Sequence, residues 1–373
     1  MNFHFHLPVD IIFEGGCIER LAEILEQRNY TNGVLVCDGF FRTNGLAERV
    51  MELSGGRLVA VYSDIRPNPT VENVDACAAV MRQVHADFAV AMGGGSTMDC
   101  AKAACAICRT EDSIRDYHTG GKKLDPSLGI DLIAVPTTAG TGSEVTWVAV
   151  LSDEEKHVKA PLPNKMLLPK LALIDYKLTM GIPKPVTAST GIDVLSHALE
   201  GYWSKNHQPI CDGAAMQAAK LVFAYLPRAY ENGADEEARE MMSCASLLAG
   251  IAFGHPFTTG PHACSFPLTN WYHVPHGEAC AFTLDYFCRL NAECEGGRLH
   301  TLARFCGFAD AYQMADAITA LKKEIGLRCT LTELQVPEAD IDKLSEASQH
   351  PNMRNNPVEM TTEAIRDMYR SLL

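Results

Sequence analysis

The sequence has no apolar run of the roughly 18 residues that a transmembrane helix requires. Its first segment, residues 1–10, has neither the basic region nor the apolar region of a secretory signal peptide. Internal repeats and low-complexity segments do not stand out either. We therefore expect a globular protein that stays in the cytoplasm.

Clusters of basic residues are also missing. Lys and Arg total 32 against 46 Asp and Glu, which gives a formal net charge of −14. A nucleic-acid-binding protein usually shows a basic patch. We therefore expect neither a nucleic-acid nor a membrane partner, and a small molecule is the partner to look for.

Cysteine, in contrast, is abundant, with 14 residues. In a small secreted protein such a number would indicate a disulfide framework. In a cytosolic chain of 373 residues we expect reduced, mostly buried side chains. Cys105 and Cys108 form a C-x-x-C pair, but no second pair follows at zinc-site spacing, so we interpret them as helix packing.

The two halves of the chain have different hydrophobic periods. Its length favours two domains. Up to about residue 180, short apolar runs alternate with helical segments, the rhythm of a doubly wound parallel sheet. The apolar runs are 34–37, 58–62, 88–92 and 132–135, and the helical segments include 18–28 and 71–85. Beyond about residue 185 the patterns are helical, at 193–203, 211–230, 236–252 and 311–325.

A linker with Pro183 and Pro185 separates these halves. We predict a nucleotide-binding α/β domain over residues 1–183 and an all-helical domain over residues 184–373.

Three consecutive glycines follow the strand predicted at 88–92, in Gly93-Gly-Gly-Ser-Thr-Met-Asp99. Glycines let backbone N–H groups approach a phosphate, and the following helix N-terminus favours negative charge. Ser96 and Asp99 have the spacing of a capping box. We expect this turn to bind a phosphate and to cap its helix. A plain strand-to-helix turn is the alternative, although it usually needs one glycine.

Two further strand ends carry polar residues. Asp38 ends the strand predicted at 34–37, where a carboxylate would hold a ribose hydroxyl and repel a 2′-phosphate, which favours NAD over NADP. An aspartate that merely caps the next turn is the alternative. Thr137 and Thr138 follow the strand predicted at 132–135, at the strand edge where open α/β sheets bind ligands.

A carboxylate and several histidines mark the second half. Asp193 and His197 are four residues apart, so both side chains project from one helix face. Histidines recur in 255–262 and 273–277. Such a set suits iron or zinc, and no cysteine lies within these segments, which argues against a structural zinc site. Singly, each residue could be a capping or solvated group. Beside a nucleotide turn they indicate hydride transfer to a carbonyl that a metal polarises.

Together these motifs resemble the iron-containing (group III) alcohol dehydrogenases. The resemblance covers nearly the whole chain and lies in segments 67–69, 93–102, 136–146, 191–200 and 275–277, together with Lys159, Pro169 and residues 174–175. It implies a Rossmann-like N-terminal α/β domain and an all-α C-terminal domain, the dehydroquinate synthase-like architecture. It also implies an NAD(H)-linked reductase of a small aldehyde, and we expect a homodimer or higher homo-oligomer.

The same resemblance implies the site residues. The metal ligands for Fe²⁺, or alternatively Zn²⁺, are Asp193, His197, His262 and His276. The NAD(H)-binding positions are Asp38, Asn68, Gly94, Gly95, Ser96, Asp99, Thr137, Thr138 and Lys159.

The chain departs from the family at Phe266, where typical members carry a further histidine that is a candidate proton relay. The catalytic proton carrier is therefore unknown, and His255, His273 or water are the substitutes we consider.

The segment 258–269 is similar to a subgroup that reduces aldehydes with an acidic tail, such as sulfoacetaldehyde, phosphonoacetaldehyde and succinate semialdehyde. An anionic tail would need local donors near Thr258, Thr259 and Ser265, because the negative net charge gives no long-range attraction. If these residues only cap helices, plain alkyl or diol-derived aldehydes are the substrates.

Two other functions remain as alternatives. A cyclase related to dehydroquinate synthase also uses a metal and NAD, but it restores its cofactor in each cycle, so a net redox change of NAD distinguishes the two. A nucleotide-binding scaffold without turnover would be revealed by a metal titration combined with an activity assay.

Overall fold

The computed structural model describes residues 2–373, and its contacts divide them into two compact units. An α/β unit comprises residues 6–138 and 143–179. A helical unit comprises residues 139–142 and 180–373, together with the N-terminal residues up to Phe5. Residues 139–142, which the sequence analysis assigned to the first domain, thus pack with the helical unit. The boundary predicted after residue 183 stays a prediction.

The α/β unit is built on six parallel strands and an antiparallel hairpin. The sheet strands are β1 (Asp10–Phe13), β2 (Gly33–Cys37), β3 (Leu58–Tyr62), β4 (Phe88–Gly93), β5 (Asp131–Pro136) and β8 (Leu171–Ile174), and the hairpin strands are β6 (Val148–Asp153) and β7 (Val158–Pro163). The helices of this unit are α1 (Leu21–Gln27), α2 (Gly39–Thr43), α3 (Leu46–Leu53), α4 (Val71–Gln83), α5 (Gly95–Ala106) and α6 (Ile114–His118). The sheet order is β1-β8-β5-β4-β2-β3.

This order places a topological switch between β2 and β4. From β2 the chain continues to β3 at one edge of the sheet, and from β4 it continues to β5 in the opposite direction. Cys37 pairs with Met92, and Gly93 pairs with Pro136, so β2, β4 and β5 end side by side. Open α/β sheets bind ligands beyond the carboxyl ends of the strands at such a point.

The helical unit contains the ten α-helices α7 to α16. They are α7 (Lys184–Trp203), α8 (Pro209–Glu231), α9 (Glu236–Phe253), α10 (Gly260–Tyr272), α11 (His276–Phe282), α12 (Leu284–Leu290), α13 (Cys294–Phe305), α14 (Ala311–Glu324), α15 (Ile341–Ala347) and α16 (Thr362–Arg370). Nearly every residue of α7 from Thr187 onward is buried, because α8, α9 and α11 pack around it. A central helix covered on all sides is the natural place for buried metal ligands.

The predicted fold class is confirmed, with a parallel α/β unit followed by a helical one. The four predicted strands correspond to β2–β5, whereas β1, β8 and the hairpin were not predicted. The turn formed by Gly93, Gly94 and Gly95, called the glycine turn below, therefore follows the fourth strand rather than the third. Along residues 2–373, no helix combines the length and the apolar character needed to cross a membrane. Cys105 and Cys108 are buried in the apolar core of the α/β unit.

Candidate active site

The glycine turn leaves the backbone at the end of β4 open. A Cβ on Gly93 would lie 2.4 Å from Thr97 Oγ1, and a Cβ on Gly94 would lie 3.3 Å from Thr138 Oγ1. Side chains are therefore excluded at Gly93 by close packing, and α5 begins at Gly95 directly after the turn. This arrangement, a bare backbone leading into a helix N-terminus, suits a phosphate.

The predicted capping box of Ser96 and Asp99 is wrong. The N-cap of α5 is Gly94, and no side chain caps it. Asp99 instead accepts hydrogen bonds from the Ser143 hydroxyl (2.9 Å) and the Val150 N–H (2.9 Å). These two donors come from residues more than forty positions away, so local spacing did not reveal them. Asp99 therefore ties the start of α5 to the segment before and within β6.

Asn68 and Lys159, two of the NAD(H)-binding positions that the resemblance implies, lie beside this turn. The Asn68 N–H donates to Ser96 Oγ at 3.3 Å, and Lys159 Nζ donates to Asn68 Oδ1 at 2.9 Å. Thr137 also belongs to the group, because its N–H donates to the Gly93 carbonyl at 3.1 Å. The structure thus brings an ammonium group, an amide and a hydroxyl together around the glycine turn, which are suitable donors for a dinucleotide.

Asp38 follows β2 directly, next to the glycine turn on the neighbouring strand. It is the N-cap of α2, and its Oδ1 accepts the Phe40 N–H at 2.8 Å. The capping role considered for Asp38 is therefore present. It does not exclude a ribose contact, because a carboxylate has two oxygens.

In the helical unit, the four predicted metal ligands lie together. His262 Nε2 is 3.1 Å from His197 Nε2 and 3.8 Å from Asp193 Oδ1. The His262 and His276 ring centroids are 5.4 Å apart. Asp193 and His197 come from α7, His262 from α10 and His276 from the first residue of α11. Three helices therefore converge on one point of the core.

Two of these side chains have unsatisfied polar atoms that fit a cation. Asp193 Oδ1 and His197 Nδ1 are buried and have no hydrogen-bond partner among residues 2–373. Burial raises the pKa of Asp193 to about 7, and it also lowers the pKa of His197 because the charged imidazole loses its hydration. Unpaired buried polar atoms are costly. A divalent cation would satisfy them, so the residues present fit the metal that the resemblance implies.

Glu200 ends the segment 191–200 that carries the resemblance, but the sequence did not indicate a role for it. It is fully buried, and its Oε1 lies 2.5 Å from His262 Nδ1. Its Oε2 accepts the N–H groups of Thr259 (2.6 Å) and His262 (3.3 Å). A carboxylate on one imidazole nitrogen orients the other nitrogen toward a metal. The sequence feature that could have indicated this role is the position of Glu200 on α7, three residues after His197.

Cys280 and His350 were also missed. One donor atom each from Asp193, His262, His276 and Cys280 lies within 4.8 Å of the others. The His350 ring contacts the Phe266 ring in a tilted arrangement, with ring centroids 4.3 Å apart. A histidine from a distant segment thus lies against the position where typical family members have their additional histidine.

The two relay candidates have different surroundings. The His255 ring stacks on Phe5 with centroids 4.7 Å apart. His273 is exposed and ends α10 in a left-handed conformation. A relay role for either of them stays a prediction.

The donors suggested for an anionic tail are mostly engaged elsewhere. The Thr259 hydroxyl donates to Glu200 at 3.1 Å, and the Ser265 hydroxyl donates to the His262 carbonyl at 2.8 Å. That suggestion is therefore wrong for these two residues. Thr258 Oγ1 accepts a hydrogen bond from Asn352 Nδ2 at 2.8 Å and donates none within the described residues 2–373, so its own proton remains for another acceptor.

Comparisons with known proteins cover both units. The family model described as iron-containing alcohol dehydrogenase matches residues 8–176. The model described as Fe-containing alcohol dehydrogenase family, C-terminal, matches residues 187–373.

Individual relatives match over nearly their whole length. Alcohol dehydrogenase 4 of Schizosaccharomyces pombe is 33% identical over 99% of this chain and 89% of its own. The 1-propanol dehydrogenase PduQ of Salmonella typhimurium is 37% identical over 91% of this chain and 92% of its own. The crystal structure of sulfoacetaldehyde reductase from Bifidobacterium kashiwanohense in complex with NAD⁺ is 49% identical, with a TM-score of 0.97 over 100% of this chain and 99% of that one.

Proposed function

The chain belongs to the iron-containing alcohol dehydrogenase family, and on that premise we propose that it reduces a short aldehyde with an anionic tail, such as sulfoacetaldehyde. The general activity is that of an NAD-linked, iron-type alcohol dehydrogenase. The similarity that carries the finer proposal is the 49% identity with a sulfoacetaldehyde reductase over the whole chain.

A second candidate is the reduction of plain alkyl aldehydes, because the 1-propanol dehydrogenase is 37% identical. The two candidates differ in whether the site recognises a negative charge. A kinetic comparison between charged and uncharged aldehydes therefore separates them.

The residues have the following proposed roles. Asp193, His197, His262 and His276 would hold the divalent iron, and the glycine turn with Asn68 and Lys159 would hold NAD(H). When bound, the metal polarises the substrate carbonyl and the nicotinamide carries the hydride. Glu200 keeps the His262 ring in one orientation, which fixes the nitrogen that faces the cluster. Asp193, His197, His262 and Glu200 are buried, which strengthens their electrostatic interactions.

The substrate prediction concerns the charge of the tail. We expect kcat/KM for sulfoacetaldehyde to exceed that for propanal at least about tenfold, since one charge-assisted hydrogen bond is worth roughly that much. Thr258→Val should reduce this ratio, because it removes the hydroxyl proton that the fold leaves unused. Steady-state kinetics with both aldehydes measure the ratio.

Thr258→Ser is the matched control, since it keeps the hydroxyl and should keep the preference. Equal kcat/KM values for the two aldehydes in the wild type, or a preference for propanal, would refute the anionic-tail proposal and leave the family assignment intact.

A further prediction concerns Asp38 and the choice of cofactor. We expect the wild type to prefer NADH over NADPH. Asp38→Asn should reduce the ratio of kcat/KM for NADH to kcat/KM for NADPH by about tenfold, because the 2′-phosphate would no longer face a carboxylate. The asparagine oxygen can still accept the Phe40 N–H, so the variant keeps the cap of α2 and changes only the charge. The measurement is kcat/KM for both cofactors. If the wild type uses NADPH equally well, Asp38 does not face the ribose.

A further inference from the structure

Cys280 lies one helical turn after His276 on α11, so the two side chains share a helix face. Its side chain is fully buried. Cys280 Sγ is 3.8 Å from Nε2 and 3.9 Å from Nδ1 of the His276 ring. The thiol therefore lies against an imidazole that belongs to the metal cluster.

The contacts of the thiol extend to two other ligands of the cluster. Asp193 and His262 join His276 and the thiol in one group of four possible ligands. The donor atoms of these three residues and the sulfur all lie within 4.8 Å of one another. Two atoms that bind the same metal ion, each about 2.0–2.3 Å from it, can be at most about twice that distance apart, which is comparable with the spacing of these four atoms. The sulfur thus lies among the donor atoms.

The surroundings of Cys280 differ from those of a cysteine that only packs. Cys264 on α10 is equally buried, but it belongs to the apolar core, where the Tyr369 hydroxyl donates to its backbone carbonyl. Cys280 faces a carboxylate and two imidazoles. One of them, Asp193, has a buried oxygen without a hydrogen-bond partner, which independently indicates a cation at this point.

We propose that the Cys280 sulfur is a fifth protein ligand of the metal, added to Asp193, His197, His262 and His276. On binding, the S–H bond breaks, a sulfur–metal bond forms, and the proton passes to solvent. The inference rests on the metal site of the proposed function and not on its substrate. A soft sulfur donor would shift the preference of the site toward metals that tolerate thiolate, such as zinc, relative to a set of only nitrogen and oxygen donors.

The test uses the full-length protein loaded with cobalt(II) in place of its metal, without substrate or NAD. Thiolate bound to cobalt(II) gives a near-ultraviolet charge-transfer band, whereas imidazole and carboxylate ligands do not. We expect the wild type to show this band in proportion to bound cobalt, as measured by metal analysis. Cys280→Ser should lose the band. Cys264→Ser is the matched control and should retain it.

The wild-type spectrum can overturn the proposal even if the Cys280→Ser protein does not fold. A wild type that binds cobalt without the band overturns the proposal, and so does a band that persists in a folded Cys280→Ser protein. If that variant is unstable, Cys280→Ala provides the same comparison. Failure of the substrate proposal would appear only in the aldehyde kinetics, because the spectrum requires no aldehyde.

Discussion

We expect the His262→Ala variant to lose its bound metal and roughly a thousandfold or more in kcat, while its fold survives. His262 Nε2 lies 3.1 Å from His197 and 3.8 Å from Asp193, so its loss removes a central donor of the cluster. Polarisation of a carbonyl by a metal supplies several kcal/mol of transition-state stabilisation, and each ~1.4 kcal/mol corresponds to a factor of ten in rate.

Metal analysis of the purified variant, together with kcat under saturating NADH, measures both effects. His300→Ala is a suitable control, because that imidazole contacts Glu293 and the backbone of Ala311 in another part of the helical unit. The control should keep its metal. Full metal occupancy combined with wild-type turnover in His262→Ala would contradict the assignment of the site.

Local spacing predicted part of this cluster. Asp193 and His197 are four residues apart, and a helix alone brings them to one face. The role of Glu200 depends on a contact with His262, 62 residues away, which no local pattern contains. Cys280 was missed for a related reason. Cys280 lies just outside the histidine segments 255–262 and 273–277, and the turn of α11 brings it back to His276.

The fold was predictable where the apolar runs are buried on both sides, as in β2 and β4. β1 was missed because it is an edge strand whose residues are exposed or only partly buried. The start of α7 at Lys184 was also missed. Its first turns contain Pro185 and β-branched residues of low helix propensity, and tertiary packing overrides such local preferences.

The glycine of the Pro275-His-Gly277 motif is the basis of the last prediction. A Cβ on Gly277 would lie 1.9 Å from the Ser189 carbonyl oxygen and 2.9 Å from Asp193 Cβ. Both neighbours belong to α7, and the nearer one is a backbone oxygen, which cannot rotate away. Gly277→Ala must therefore push α11 from α7 and separate His276 from Asp193. We expect overpacking to cost at least about 1–3 kcal/mol of unfolding free energy, together with a strong loss of metal affinity.

Gly213→Ala separates this steric effect from the general effect of replacing a helical glycine. Gly213 lies on the exposed side of α8, and a Cβ there meets nothing within 4 Å. That variant should gain about 0.5–1 kcal/mol in unfolding free energy and bind metal normally, since alanine is the better helix former. Urea denaturation and metal titration of both variants provide the comparison. Wild-type metal affinity in Gly277→Ala would mean that the contact between α7 and α11 does not set the distance between Asp193 and His276.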